Sequence, residues 1–171
     1  KLKVIEANVI FETQGGNGFI KVAAPGAVTA KSNEEWCTVT VSGTEIALTV
    51  EPNLSMGGRS ATILIQSGDE TIDITAVQTA SIMWFKDFTE SSLGFIPEGS
   101  MLKSAVIGSY PITVVSKPDW LSYKFENDSV YLTVPAASSP RAGTIVFKSG
   151  DREIQYGVTQ ISYISFLGDW T

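Results

Sequence analysis

Histidine is missing from all 171 residues of the chain. It is the most frequent general base in enzymes and the commonest zinc ligand, so its absence excludes Ser-His and Cys-His nucleophile pairs. A hydrolase that uses two carboxylates remains compatible with the composition. However, the acidic residues lie near expected turns and strand ends, with no sign that two of them converge. We therefore predict that the chain is not an enzyme and binds no cofactor.

Basic residues, cysteine and long apolar runs are also scarce. Lysine and arginine total 12 against 18 acidic residues, which gives a net charge of −6 and argues against a nucleic-acid partner. The single cysteine excludes a disulfide within the chain. No stretch is apolar enough to span a membrane, and no Asp-x-Asp-x-Asp spacing indicates a calcium site. No signal peptide is visible, although Lys1 is compatible with the first residue after its removal.

The sequence contains an internal duplication. Residues 59–69 read Arg-Ser-Ala-Thr-Ile-Leu-Ile-Gln-Ser-Gly-Asp and return 82 residues later, at 141–151, as Arg-Ala-Gly-Thr-Ile-Val-Phe-Lys-Ser-Gly-Asp. Gln78 and Gln160 keep the same offset. Each copy alternates apolar and polar residues on both sides of a Ser-Gly-Asp turn, which predicts a β-hairpin with one buried face.

The duplication and the spacing of the turns predict the fold. Short strands separated by turns every eight to twelve residues are typical of immunoglobulin-like sandwiches. We predict an all-β protein of two tandem antiparallel sandwiches, each with about seven strands. The expected boundaries are 1–79 for the first sandwich, 80–91 for a connector, 92–161 for the second sandwich and 162–171 for a tail. Residues 4–13 are expected to form one edge strand.

The tail resembles the connector. Ile82, Trp84 and Phe88 correspond to Ile164, Phe166 and Trp170 at the same offset of 82 residues. We therefore expect the native chain to continue into further covalently linked domains.

The ordered motifs resemble one family. The first motif is Gly-Gly-x-Gly-Phe-Ile-x-Val at 15–22. An acidic residue before Trp36 or Trp120 follows, and then Leu-Thr-Val. The last motifs are Arg-x-x-Thr-Ile, Ser-Gly-Asp and a final Gln. This set is similar to the BACON domain, a β-sandwich of Bacteroidetes surface and secreted proteins, in two tandem copies. The second copy departs from it because Pro-Glu-Gly replaces the double glycine.

The resemblance implies a place outside the cytoplasm, on the cell surface or secreted, and often on a lipid-anchored chain. It also implies glycoside hydrolases or other surface domains as neighbours. We predict a non-catalytic spacer or adhesion platform for surface proteins, and the alternative is a carbohydrate-binding module that uses exposed aromatic residues. A solvent-facing cluster of coplanar aromatic rings beside Asn, Asp or Gln would favour the alternative.

Six recurring residues are predicted to be structural. Trp36 and Trp120 occur 84 residues apart and are expected to plug the core, while the arginines are expected to pair with a carboxylate or with loop carbonyls. Cys37 corresponds to Leu121, which indicates an apolar core position instead of a reactive thiol. The six predicted structural residues are Trp36, Trp120, Arg59, Arg141, Gln78 and Gln160.

The ligand-binding candidates are aromatic, because glycan-binding modules stack planar rings against sugar faces. Trp84, Phe88 and Trp170 are expected first to dock each connector and stiffen the joint, and a glycan or partner contact is their alternative role. No residue is predicted to bind a metal. The candidates are Trp84, Phe88, Tyr110, Tyr123 and Trp170.

Overall fold

The computed structural model describes residues 1–162, and all the regular secondary structure in this range is β-strand. The chain divides into two compact units, Lys1–Ser81 and Ile82–Thr171. Each unit is a sandwich of two four-stranded sheets with its own core. The prediction of an all-β protein with two sandwiches is confirmed.

The first sandwich contains eight strands. They are β1 (Lys3–Asn8), β2 (Ile10–Phe11), β3 (Gly16–Ala23), β4 (Thr29–Ser32), β5 (Cys37–Ser42), β6 (Glu45–Val50), β7 (Arg59–Ser67) and β8 (Glu70–Gln78). One sheet has the order β1-β3-β6-β5 and the other β2-β8-β7-β4. With the first strand shared between the sheets, this is the immunoglobulin arrangement of A-B-E-D against G-F-C.

The second sandwich repeats this arrangement. Its strands are β9 (Met83–Phe85), β10 (Ser92–Phe95), β11 (Gly99–Gly108), β12 (Thr113–Ser116), β13 (Ser122–Glu126), β14 (Ser129–Pro135), β15 (Arg141–Ser149) and β16 (Arg152–Gln160). One sheet has the order β9-β11-β14-β13 and the other β10-β16-β15-β12.

The duplicated hairpins are β7–β8 and β15–β16, paired without interruption from Arg59↔Gln78 and from Arg141↔Gln160. Each is closed by a two-residue Gly-Asp turn. The glycines at these turns, Gly68 and Gly150, have φ of 61° and 60°, a conformation that glycine adopts without a steric penalty. A glycine with positive φ at the first central position fits the hairpin turn whose twist matches the strands.

The first strand of each sandwich differs from the prediction. Residues 4–13 do not form one edge strand, because the segment breaks into β1 and β2, which lie in different sheets. β2 then pairs with β8 in parallel, and β10 pairs with β16 in parallel, so the sheets are not wholly antiparallel. Because the segment crosses from one sheet to the other, β1 pairs with β3 and β2 pairs with β8.

Most of the segment expected to be a connector, from Ile82 onwards, belongs to the second sandwich. Residues 83–85 form β9, which pairs with β11, and the side chains of Phe85 and Phe88 are buried. The rings of Phe85 and Phe88 stack with centroids 5.7 Å apart, and both meet Tyr156 edge-on at 5.5 Å. Phe85 and Phe88 therefore pack inside the second core. The tail from residue 163 onwards, with Trp170, lies outside the described residues.

The two cores differ in chemistry. The first is mostly aliphatic, with Ile20, Ile46, Ile63 and Ile65 fully buried. The second holds a group of contacting aromatic rings. Its buried aromatic members are Phe85, Phe88, Phe95, Phe147 and Tyr156.

Candidate functional site

The recurring arginine of the first sandwich covers the recurring tryptophan. The guanidinium carbon of Arg59 lies 4.2 Å from the centroid of the Trp36 ring, within cation–π range. Its Nε donates a hydrogen bond of 2.8 Å to Oε1 of Gln78. A terminal nitrogen donates to the carbonyls of Glu51 and Pro52 at 2.9 and 3.1 Å. The partners of Arg59 are therefore loop carbonyls and an amide, with no carboxylate among them.

Gln78 connects this group to the interior. Its side chain is 3% exposed, and Nε2 donates to the carbonyls of Glu12, Thr13 and Glu51 at 3.1, 3.1 and 3.0 Å. These carbonyls belong to the loops that follow β2 and β6. These carbonyls also accept from the Gly15 N–H, the Asn53 N–H and Arg59, so the buried glutamine adds a second hydrogen bond that links both loops to the end of β8. We call Trp36, Arg59 and Gln78 the first Trp–Arg–Gln cluster.

The second sandwich has the same group, the second Trp–Arg–Gln cluster. Arg141 lies over the Trp120 ring at 4.5 Å and donates from Nε to Oε1 of Gln160 at 2.8 Å. The Arg141 terminal nitrogen donates to the Pro135 carbonyl at 3.1 Å. Nε2 of Gln160 donates to the carbonyls of Ile96 and Pro135 at 2.8 and 2.9 Å.

Both clusters have structural geometry. The hydrogen bonds of Arg59, Arg141 and the two glutamines go to groups within the same sandwich. Trp36 and Trp120 pack against the edges of their cores and stay half-buried, so they are not fully enclosed plugs as expected. The arrangement explains why the three residue types recur together, and it leaves the clusters without an obvious ligand site.

A cleft opens at one end of the second sandwich, between the β11–β12 loop and the β13–β14 turn. Its volume is about 340 Å³, within the usual range of small-molecule sites. All of the lining residues belong to this sandwich. They are Val106, Gly108, Tyr110, Ile112, Phe125, Glu126, Asn127, Asp128 and Ser129.

One wall of the cleft is aromatic and anchored on the core. Phe125 is 37% exposed, and its ring meets the buried ring of Phe147 at 6.5 Å. On its other side Tyr123, which is 41% exposed, meets Phe125 edge-on at 5.8 Å with an interplanar angle of 68°. The rings of this wall are therefore steeply inclined to each other and do not form a coplanar platform.

The opposite wall is the loop that carries Tyr110. The backbone N–H of Tyr110 donates to Oγ of Ser149 at 3.2 Å, and the Ser149 hydroxyl donates to the Tyr110 carbonyl at 2.8 Å. Gly108 permits this tight loop, because a Cβ at that position would lie 2.9 Å from the Tyr110 carbonyl oxygen and 3.0 Å from Cγ1 of Ile112. Tyr110 is thus held at the cleft by its own backbone and by buried Ser149.

The rim of the cleft is polar. Asn127 and Asp128 have φ of 51° and 56° and form a hairpin turn in the left-handed region, which Asn and Asp tolerate best after glycine. The Asp128 carbonyl accepts a hydrogen bond from the Val106 N–H at 2.9 Å. Glu126 pairs with Lys124 at 2.8 Å, and this hydrogen bond raises the pKa of the exposed Lys124 ammonium.

The same end of the first sandwich lacks the aromatic residues. Gly26 occupies the position of Tyr110, since it makes the same two hydrogen bonds with Ser67 that Tyr110 makes with Ser149. On the edge strand, Val39 and Val41 pair with Leu48 and Ile46, as Tyr123 and Phe125 pair with Leu132 and Val130. The two sandwiches therefore share one arrangement of strands and turns, which we call the frame, and the second sandwich adds aromatic residues to it.

The predicted ligand-binding residues separate into three groups. Tyr110 lines the cleft, and Tyr123 supports its aromatic wall. Trp84 lies on β9 opposite Ile107, and each is 51% exposed on the outer face of the sheet. Phe88 was wrongly chosen, because its side chain is 7% exposed and packs inside the second core.

Sequence reasoning missed Phe125, Asn127 and Asp128. A signal was present in the alignment of the two copies, where Val41 becomes Phe125 and the turn Gly43-Thr44 becomes Asn127-Asp128. An aromatic residue in place of valine at an equivalent strand position of the two copies, beside a changed turn, indicates local specialisation.

Cys37 lies in the first core and is completely buried, as expected of a position that accepts leucine. Burial raises the pKa of the Cys37 thiol, while a hydrogen bond with Ser32 and the charge of Arg59 act in the opposite direction. Within residues 1–162, no group of three or more His, Cys, Asp or Glu side chains is placed to hold a metal ion.

A family model described as "Putative binding domain, N-terminal" matches residues 26–79. This is the model of the BACON family, and the segment that it matches lies within the first sandwich. The matched BACON segment contains the whole first Trp–Arg–Gln cluster, and the second sandwich lies outside it. In the described part of the chain, no helix is long and apolar enough to cross a membrane.

Three solved structures are similar to the chain. The I9-I11 tandem of titin has 12% identity and a TM-score of 0.46, covering 94% of this chain and 66% of that one. A protein from Bacteroides thetaiotaomicron has 16% identity and a TM-score of 0.39, covering 46% and 86%. The Bacteroides ovatus GH5 xyloglucanase, in complex with a XXXG heptasaccharide, has 24% identity and a TM-score of 0.42, covering 56% and 21%. The chain thus spans less than two thirds of the titin fragment and about a fifth of the xyloglucanase. No curated protein matches it in sequence.

Proposed function

We propose that the chain is a non-catalytic part of a surface protein, in which the sandwiches act as a spacer and the cleft of the second sandwich is the interaction site. The observation that carries this proposal is the cleft, with Tyr110 and Phe125 facing a volume of about 340 Å³. The equivalent positions of the first sandwich hold Gly26 and Val41. The first sandwich is accordingly assigned the spacer role.

The spacer role is supported by the two Trp–Arg–Gln clusters. Each fastens loop carbonyls to the last strand of its sandwich through a buried glutamine. Such fastening suits a domain that must keep its shape while it separates other parts of a protein. The shared cluster also leads us to propose that the second sandwich is a BACON-type domain like the first.

The non-catalytic assignment rests on the chemistry of the residues present. With no histidine in the chain, neither Tyr110 nor Ser129 has an imidazole to remove its proton. Of the two cleft carboxylates, Glu126 is engaged by Lys124 at 2.8 Å. The cleft thus offers aromatic rings and polar groups that suit binding.

A second candidate function is carbohydrate binding, with the cleft as the sugar site. Tyr110 and Phe125 supply aromatic surface for the apolar face of a sugar ring, and Asn127 and Asp128 lie beside them to hydrogen-bond hydroxyl groups. This combination of apolar walls and a few polar groups favours a glycan over a flat protein surface as the occupant. The perpendicular rings favour a single sugar unit or a chain end over an extended chain laid on a platform.

We further propose that the protein acts outside the cytoplasm, on the cell surface or secreted, with a lipid anchor in a part of the protein outside this sequence. The resemblance of both copies to BACON domains supports this location. The partners proposed are glycans or other surface proteins, together with further domains in the same chain.

The decisive experiment removes the aromatic surface without disturbing the frame. Phe125→Val gives the second sandwich the residue that the first has, and Tyr110→Ala removes the facing ring. Binding of the full chain to a panel of host and plant polysaccharides is measured by affinity electrophoresis and calorimetry. We expect each substitution to weaken binding at least about tenfold, the usual effect of losing an aromatic contact.

Two controls locate the site. Met101→Ala changes a residue that is 57% exposed at the opposite end of β11, and it should leave binding unchanged. Trp84→Ala tests the other exposed aromatic candidate, and a loss confined to this variant would move the site to the outer face of the sheet. Unaltered binding in Phe125→Val and Tyr110→Ala would exclude the cleft. If the unaltered chain binds no polysaccharide, the spacer function stands alone.

A further inference from the structure

The cleft carries negative charge without a compensating positive residue in its lining. Glu126 and Asp128 are its two charged members, and no lysine or arginine lines it. Lys124 is the neighbouring cation; it pairs with Glu126 at 2.8 Å and does not line the cleft. The lining therefore contributes two carboxylates, one of them paired with a lysine, and no cation of its own.

The two carboxylates are not equivalent. Glu126 is paired with Lys124 at 2.8 Å, which offsets its charge. Asp128 has no ion pair among the described residues, and its backbone is fixed in the turn by the hydrogen bond from the Val106 N–H at 2.9 Å. The uncompensated charge at the cleft is thus that of Asp128.

We infer that the cleft accepts uncharged saccharides and rejects acidic ones, with Asp128 as the residue that determines this selectivity. The inference rests on the proposed sugar-binding role of the same cleft. A neutral sugar offers an apolar face to Tyr110 and Phe125 and hydroxyl donors to the Asp128 carboxylate. A uronic acid or a sulfated sugar would bring a second anion against Asp128, and like charges placed together at a binding site lower affinity and give specificity.

The test compares two probes that differ only in charge. Oligogalacturonide and its fully methyl-esterified form share one sugar backbone, and neutral oligosaccharides of glucose, mannose and xylose complete the set. The full chain is titrated with each probe by calorimetry at low and high ionic strength. We expect at least one neutral probe to bind, and the esterified oligogalacturonide to bind at least about tenfold more tightly than the acid form at low salt.

Asp128→Asn removes the charge and keeps the turn, because asparagine also tolerates the positive φ of 56° at this position. This variant should bring the affinities for the acidic and esterified probes within about threefold of each other. High salt should also bring the affinities of the unaltered chain for the two probes closer together, since screening weakens the repulsion between Asp128 and the acidic probe. Asp119→Asn makes the same change in net charge outside the cleft and should leave the ratio unchanged.

The outcomes separate this inference from the proposed function. Equal binding of acidic and esterified probes, abolished by Phe125→Val, would overturn the charge selectivity and leave the sugar site in place. Tighter binding of the acidic probe would overturn the selectivity as well. Failure of every probe to bind the unaltered chain would overturn both the inference and the sugar-binding function.

Discussion

The two sandwiches share a frame and differ at one end and in the core. Both have the same strand order, the same Gly-Asp hairpin turns and the same Trp–Arg–Gln cluster. The second differs by an aromatic core and by a cleft with aromatic walls. These differences are joined, because the Phe125 ring of the cleft wall packs on the Phe147 ring of the core.

This comparison separates folding requirements from added features. Residues that recur at equivalent positions, such as Arg59 and Arg141, satisfy loop carbonyls that any copy of this frame must satisfy. Residues that differ between the copies, such as Gly26 in the first and Tyr110 in the second, lie at the end of the sandwich where the cleft opens. Each copy therefore serves as a control for the other.

The largest expected effect is in the second core. Phe147→Ala should destabilise the second sandwich by about 4 kcal/mol, and Ile65→Ala at the matching position should destabilise the first by about 3 kcal/mol. Phe147 contacts the rings of Phe85, Phe125 and Tyr156, so its loss leaves the larger cavity. Hydrogen exchange followed by mass spectrometry would report each sandwich separately. Equal losses of protection in both sandwiches, from either single substitution, would contradict independent cores.

Substitution of the cluster glutamines should have the next largest effect on stability. Gln78→Ala should cost the first sandwich about 3 kcal/mol and Gln160→Ala the second about 2 kcal/mol, since the lost amide contacts three carbonyls in the first case and two in the second, and the arginine Nε loses its acceptor in both. Chemical denaturation of the full chain measures both. Gln66→Ala, on an exposed position of β7, is the control and should have little effect. A cost below about 1 kcal/mol for Gln78→Ala would contradict the fastening role.

The tryptophans should have a smaller effect than their size suggests. A fully buried tryptophan typically costs about 3–5 kcal/mol when replaced by alanine, but Trp120 is half-buried at the core edge, so we expect about 2 kcal/mol for Trp120→Ala. Arg141→Lys should cost about 1 kcal/mol, because lysine cannot reproduce the planar stacking and the forked hydrogen bonds. Thermal unfolding monitored by circular dichroism checks both. If Trp120→Ala costs less than Arg141→Lys, the ring contributes little packing.

The sequence predicted the frame well because the frame is repeated. Alternation around the Ser-Gly-Asp turns fixed the β7–β8 and β15–β16 hairpins, and turn spacing indicated the remaining strands. The first strand of each sandwich was not predicted, since its division between two sheets depends on pairing with β8 or β16 far along the chain. Similarly, Phe85 and Phe88 looked like connector residues because nothing local indicates that they enter a core.

The candidate site was harder to predict than the frame. The aromatic character of Tyr110 and Tyr123 makes them candidates, but no local pattern predicts that their loop and edge strand meet at one cleft. Phe125 was not among the predicted candidates, although it lies two residues after Tyr123 on the same face of β13. It is 37% exposed, since β13 lies at the edge of its sheet. Partial exposure at a sheet edge is a property of the assembled sandwich.

The smallest expected effect concerns Cys37, for which the second sandwich has Leu121. Burial raises the pKa of the Cys37 thiol, so the folded state holds this proton more tightly than the unfolded chain, where the pKa is about 8.5. The stabilisation from the protonated thiol is complete below the unfolded pKa and is lost as pH rises through the folded pKa. The stability of the first sandwich should therefore fall more steeply above about pH 9 in the unaltered chain than in Cys37→Leu. Denaturation of both proteins across this range measures the difference, and the second sandwich should show none. Identical pH profiles for the first sandwich, or rapid alkylation of the native thiol by iodoacetamide, would contradict a thiol held protonated by burial.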